Sequence, residues 1–145
     1  MKKEKELSLK LFVVMSRAIE AVEKAVTKDI KRYGLNLTEF GVLEFLYHKG
    51  EQPIQIIGKK VLLASSSITY VVDKLEQKEL LTRVACPKDR RVTYAQLTEK
   101  GSELMDEIFP LHKEAMAHIF SSLSNKEKEE AIRLMKEVGL FAQSI

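Results

Sequence analysis

The side chains best suited to chemistry in this sequence gather in two short runs. The first is Lys88-Asp89-Arg90-Arg91, directly after Pro87. Three cations on a tight turn can reach phosphates, and an arginine on a rigid ribbon can enter a minor groove, where narrow A·T tracts focus negative potential. Asp89 is out of place for plain phosphate attraction, because a carboxylate repels phosphate. Its chemistry fits a brace that holds a neighbouring guanidinium by a bidentate pair. The second run is Ser65-Ser66-Ser67, followed by Thr69, Tyr70 and Lys74. Short hydroxyls at a helix start suit phosphates and base edges, and the unpaired N–H groups there attract anions. The bland alternatives are a solvated turn and serines that only cap a helix.

Periodicity supplies the elements that must carry these runs. Leu11, Val14, Met15, Ala18, Ile19, Val22, Val26 and Ile30 recur at helical spacing, so a long helix is expected over about 7–33, stopped by Gly34. A second helix is expected near 38–48, capped by Thr38 and carrying Phe40, Leu43, Leu46 and Tyr47 on one face; Gly50 closes it. Pro53 suits the first turn of a short third helix to about 61. Ile68, Val71, Val72 and Leu75 define a fourth, ending near Gln77, which leaves Ser66, Ser67, Thr69, Tyr70, Asp73 and Lys74 on its outer face. At Leu81 the period shifts from 3.6 to 2. Leu81–Cys86 and Arg91–Leu97 read as the strands of a hairpin with Pro87–Arg90 as its turn. Thr98 caps a helix of about 98–120 that Pro110 should kink. Ser124 and Glu127 form a capping box for a last helix near 125–142. The fold class is mainly α with a small β-hairpin. Two short helices followed by a hairpin make a winged helix-turn-helix, in which the second short helix can enter a major groove about 12 Å wide.

Bulk properties narrow the function. The 145 residues suit one domain. Net charge is only +3, but residues 54–101 carry +4 and residues 102–145 carry −3. A basic middle is where a phosphate-contacting surface belongs. No apolar run is long enough for a membrane span, and the charged start followed by a short apolar stretch does not make a secretory signal, so a cytoplasmic location is expected. The single cysteine, Cys86, allows no intrachain disulfide. No nucleophile–base set, phosphate loop or metal spacing stands out, so neither an enzyme nor a cofactor is expected. His112 and His118 are six apart, on different helix faces, and suggest no metal site.

The stretch from Asp89 to Gly101 resembles the signature of the MarR family (multiple antibiotic resistance regulators): D-x-R at Asp89–Arg91, then L-T-x-x-G at Leu97–Gly101. Ser67–Glu76 is similar to the family's recognition helix. The resemblance covers essentially the whole chain. It implies a single domain over 1–145, with a winged-helix lobe at 35–100 and dimerisation helices at 1–34 and 101–145. It implies a homodimer on a palindromic double-stranded operator, a repressor released by a small ligand or by oxidation. Ser65–Tyr70 match the start of the recognition helix, and Asp89 and Arg91 match the wing pair; Lys88 and Arg90 are assigned to phosphates. One departure is plain. The family usually has glycine after the recognition helix, and here Glu79 occupies that position, so either it accepts a left-handed backbone at a cost on the order of 1 kcal/mol or the turn differs.

The family's ligand site lies between the dimer helices and the DNA-binding lobe. That places an apolar or aromatic effector against Met15, Ile19, Phe40, Tyr47, Met105 and Phe109, with His48 as polar partner; the plain-core reading is the stronger one for each. Cys86 is the redox alternative, since nearby Lys88, Arg90 and Arg91 favour a thiolate. A winged helix used only for protein contacts is the remaining rival.

Overall fold

The computed structural model describes residues 1–61 and 65–145, with only the backbone at Ser65 and Ser66, so the expectations for those two side chains lie outside the described residues. Chain order is α1 (Lys2–Lys31), α2 (Leu37–Lys49), β1 (Gln52–Pro53), α3 (Ile54–Lys60), α4 (Ser65–Gln77), β2 (Leu81–Ala85), β3 (Thr93–Leu97), α5 (Glu99–Ile119) and α6 (Asn125–Gln143). The expected helices and hairpin are present. Helix α1 starts five residues earlier than expected, because Lys2–Glu6 contains no helix breaker and is rich in good helix formers. Helix α2 is capped by Asn36 rather than Thr38. The Asn36 side chain accepts from the Glu39 N–H at 2.8 Å, and the Glu39 carboxylate accepts from the Asn36 N–H at 3.0 Å. That reciprocal pair satisfies two otherwise orphaned donors, which a threonine one residue into the helix cannot do. Thr98 and Ser124 cap α5 and α6 as expected, and α5 continues across Pro110.

The sheet has three strands in the order β1-β3-β2, all antiparallel. Strand β1 is two residues long, too short to show a period, and Pro53 sits at the sheet edge opposite Tyr94, where its missing N–H leaves no ladder bond unmade. The core gathers Ile30 of α1, Phe40, Leu43 and Leu46 of α2, Ile57 of α3, Ile68, Val72 and Leu75 of α4, Leu81 and Ala95 of the hairpin, and Met105 and Ile108 of α5. One core therefore fixes the recognition helix, the hairpin and α5 to each other.

The terminal helices behave differently. Phe12, Val14 and Ile19 of α1 are exposed, as are Ile132, Met135 and Phe141 of α6, and no residue of α6 is buried. The regular apolar stripe of α1 thus packs inward only at its C-terminal end, through Val26 and Ile30. Its N-terminal half joins α5 and α6 around an open apolar groove of about 670 Å³, lined by residues that include Met15, Ile19, Phe120 and Met135.

Candidate nucleic-acid interface

Helix α4 separates its two faces cleanly. Ile68, Val71, Val72 and Leu75 are buried, and Ser67, Thr69, Tyr70, Asp73 and Lys74 are exposed. The Lys74 ammonium lies 5.5 Å from the Tyr70 ring centroid, which places a cation and an aromatic side by side on the outer face.

The hairpin tip is longer than the sequence predicts. The strands stop at Ala85 and start again at Thr93, so Cys86 and Arg91 fall in the connection rather than in the ladder. The cause is local hydrogen bonding by aspartate. The Asp89 carboxylate accepts the Arg91 backbone N–H at 3.0 Å, and the Asp89 carbonyl accepts the Val92 N–H at 3.1 Å. Cys86 is half-buried, and its N–H donates to the Val92 carbonyl, closing the loop.

That turn places the side chains as the residue types require. Arg91 donates from Nε to Asp89 Oδ1 at 3.1 Å and from Nη2 to Oδ2 at 3.3 Å, a two-point pair. The Arg91 side chain nonetheless remains 91% exposed. The Arg91 side-chain hydrogen bonds, followed by its backbone N–H, hold the Asp89 carboxyl below the usual carboxylate range. Lys88 and Arg90 are also exposed. Residues of the wing, α4 and the β1–α3 segment line a cleft of about 270 Å³ that includes Thr69, Arg83, Arg91 and Thr93, so one residue of each predicted run, Thr69 and Arg91, borders the same concavity.

The base of the wing explains the L-T-x-x-G spacing. Thr98 Oγ1 accepts the Gly101 N–H at 3.0 Å and donates to the Glu79 carbonyl at 2.6 Å, while the Thr98 N–H donates to the Leu80 carbonyl at 3.1 Å. A Cβ at position 101 would lie 2.0 Å from the Leu80 oxygen, so only glycine fits. Glu79 does adopt the left-handed conformation, at φ 62°. Leu80 N–H bonds back to the Leu75 carbonyl and Glu79 N–H to that of Glu76, which is the Schellman closure normally built on glycine.

Two polar clusters escaped the sequence reading. Arg83 of β2 pairs with both Asp73 and Glu76 of α4. His112 of α5 is buried, with Nδ1 3.3 Å from Asp29 Oδ2 of α1, Nε2 3.8 Å from Glu44 Oε2 of α2, and its ring 4.5 Å from that of Phe40. Asp29 also pairs with Arg32. All these residues are ordinary surface types on separate elements or, for Asp29 and Arg32, at the end of one helix; the one signal was His112 falling on the inward stripe of its helix.

The proposed effector residues do not form one set. Phe40 and Met105 are core, while Tyr47, His48 and Phe109 stack on one another at the α2–α5 seam, with the Tyr47 hydroxyl donating to Asp106 at 2.6 Å. Met15 and Ile19 line the separate groove between α1, α5 and α6. Among the described residues no group of three or more His, Cys, Asp or Glu side chains could hold a metal ion, and no helix is long and apolar enough to cross a membrane.

A two-helix unit with a polar outer face beside a braced, cationic wing defines a winged helix-turn-helix regulator of the DNA-binding type. A family model described as MarR family matches residues 35–93. The chain is 58% identical over 138 residues to the HTH-type transcriptional regulator MhqR of Bacillus subtilis, spanning 95% of each chain. The chain belongs to the MarR family of transcriptional regulators. Among solved structures, Sco3205 of Streptomyces coelicolor, a MarR family regulator in complex with DNA, superposes with a TM-score of 0.83 at 21% identity, over 96% of this chain and 88% of that one. Bordetella bronchiseptica BpsR, whose DNA binding is regulated by 6-hydroxynicotinic acid, superposes at 0.81 with 22% identity, over 90% and 98%.

Proposed function

We propose that this regulator is a cytoplasmic repressor that binds a palindromic operator as a homodimer and leaves it when a small apolar or aromatic compound binds. The observation that carries the DNA part is the Asp89–Arg91 pair: a guanidinium held at two points yet almost wholly exposed, next to a recognition helix with a polar outer face. In this reading Ser65, Ser66, Ser67, Thr69, Tyr70 and Lys74 meet the major groove, Arg91 enters the minor groove, and Lys88 and Arg90 contact phosphates. The homodimer follows from the exposed apolar faces of α1 and α6, because a helix with no buried residue has little reason to fold against its own chain alone. Residues 1–34 and 101–145 are its interface and 35–100 the DNA-binding lobe. A two-fold dimer reads two half-sites whose spacing mirrors its own symmetry. Support for a small-molecule effector comes from the apolar groove at Met15 and Ile19 and the aromatic seam at Tyr47, His48 and Phe109; BpsR, with the same fold, answers to a small heteroaromatic acid.

The test is selection of bound duplexes from random DNA by the purified protein, followed by a salt titration. Binding through phosphates must weaken steeply with salt. Arg91→Ala should then weaken binding by about 1–3 kcal/mol. A wild-type protein that shifts no duplex at low salt would overturn this reading in favour of a protein-contact module.

A further inference from the structure

Arg83 lies mid-way along β2, opposite Ala95 of β3, and its side chain leaves the sheet toward α4. Its Nη1 donates to Glu76 Oε1 and its Nη2 to Asp73 Oδ1, both at 2.5 Å, and its backbone N–H reaches Glu76 Oε2 at 3.3 Å. Asp73 and Glu76 are three residues apart and therefore neighbours on one helix face, outside the apolar stripe. Three hydrogen bonds thus run from one strand residue to two positions about one turn apart on the recognition helix.

We propose that Arg83 is a positioning residue for operator recognition: it fixes the wing relative to α4, so that Arg91 reaches the minor groove at the register that α4 sets in the major groove. The inference rests on the DNA-binding reading above. Three observations favour a brace over a phosphate contact. The Arg83 side chain is only 28% exposed, against 91% for that of Arg91. Its donors are already engaged by two carboxylates, so the local cluster carries net negative charge and repels phosphate. Two-point hydrogen bonding by the planar guanidinium restrains an angle as well as a distance, which a lysine ammonium cannot do. Leu81 and Ala95 hold the hairpin in the core shared with Ile68, Val72 and Leu75 of α4; Arg83, opposite Ala95, adds a polar tie to residues outside that apolar stripe.

A brace and a direct contact differ in what they share with Arg91. The experiment measures affinity of wild type, Arg83→Ala, Arg91→Ala and the double variant for the selected duplex and for an unrelated duplex, across a salt series. Arg83→Lys and Asp73→Asn/Glu76→Gln serve as companions, and urea unfolding checks that each variant folds. A brace predicts that Arg83→Ala weakens selected-site binding about tenfold while leaving affinity for the unrelated duplex and the salt slope unchanged. It predicts little further loss when Arg91 is already gone, because a wing with no probe gains nothing from alignment. Asp73→Asn/Glu76→Gln should reproduce the Arg83→Ala loss, and Arg83→Lys should restore only part of the affinity. Additive losses in the double variant, or a salt slope lowered by about one with equal loss on both duplexes, would overturn the proposal and make Arg83 a phosphate contact. No binding by wild type on any duplex would overturn the DNA-binding reading and this proposal together.

Discussion

Replacing Glu79 by glycine should stabilise the protein. Glu79 stands at the left-handed position that ends α4, and a residue with a Cβ carries a penalty there of roughly 1–2 kcal/mol. Glycine removes that penalty but makes the unfolded chain more flexible, which takes back about 0.5–1 kcal/mol. The side chain itself contributes little. Its ion pair with Lys100 spans 4.0 Å between exposed groups, where such pairs are worth little. The hydrogen bonds around the turn come from the backbone, with the Glu79 carbonyl accepting from Thr98 and its N–H donating to Glu76, and both survive the change. The net gain is therefore about 0.5–1 kcal/mol.

Urea unfolding at one fixed protein concentration measures it, since association otherwise moves the midpoint. With a slope of about 2 kcal/mol/M, the midpoint should rise by roughly 0.25–0.5 M with the slope unchanged. Glu79→Ala is the control: it removes the carboxylate and keeps the Cβ, so its midpoint should stay near wild type. If glycine and alanine give the same midpoint, backbone strain at position 79 is not what the substitution relieves, and the reasoning fails.

Gly101→Ala should act in the opposite direction, by about 1–3 kcal/mol, because the new methyl must displace the Leu80 carbonyl; a thermal midpoint equal to wild type would contradict the close approach. The Asp89 carboxyl is held below its ordinary range in the fold, so the order it lends the wing is complete above about pH 4 and is lost as pH falls through the depressed range. The Arg91 Nε resonance should follow that loss, and Asp89→Asn should show the low-pH spectrum at neutral pH. Met135→Glu, on the exposed face of α6, should shift the protein toward monomer in sedimentation at micromolar concentration; an unchanged dimer would place the interface elsewhere.

Helix α4 and the hairpin were legible because their signals are local. Four apolar residues at helical spacing, then a change of period, leave little choice. The left-handed Glu79 was suggested only by the resemblance, which left a different turn open; nothing in glutamate itself marks that backbone, and the structure decides for the left-handed form. The wing's true length was not legible, because Asp89 can cap its own turn or merely face solvent, and only the fold decides. Arg83, Asp73 and Glu76 are harder still. Each reads as an exposed charge on its own element, and their meeting depends on how β2 crosses α4. The same holds for His112 and its two carboxylates, which come from three helices separated by up to 83 residues.

The position of the wing is set from two directions. Arg83 links its first strand to the recognition helix, while Thr98 links its base to the start of α5 through the carbonyls of Glu79 and Leu80. Gly101 keeps that second junction tight enough that Leu80 cannot move without the first turn of α5. At its other end α5 brings Met116, and its C-cap brings Phe120, to the apolar surface shared with α6. Glu79 and Leu80 also bond back to Glu76 and Leu75 of α4, so this one junction joins the start of α5 to both the recognition helix and the wing. The proposed mode of DNA binding asks α4 and Arg91 to meet two grooves at once, and the Glu79–Leu80 junction, together with the Arg83 pairs, is what holds those two elements in a fixed relation.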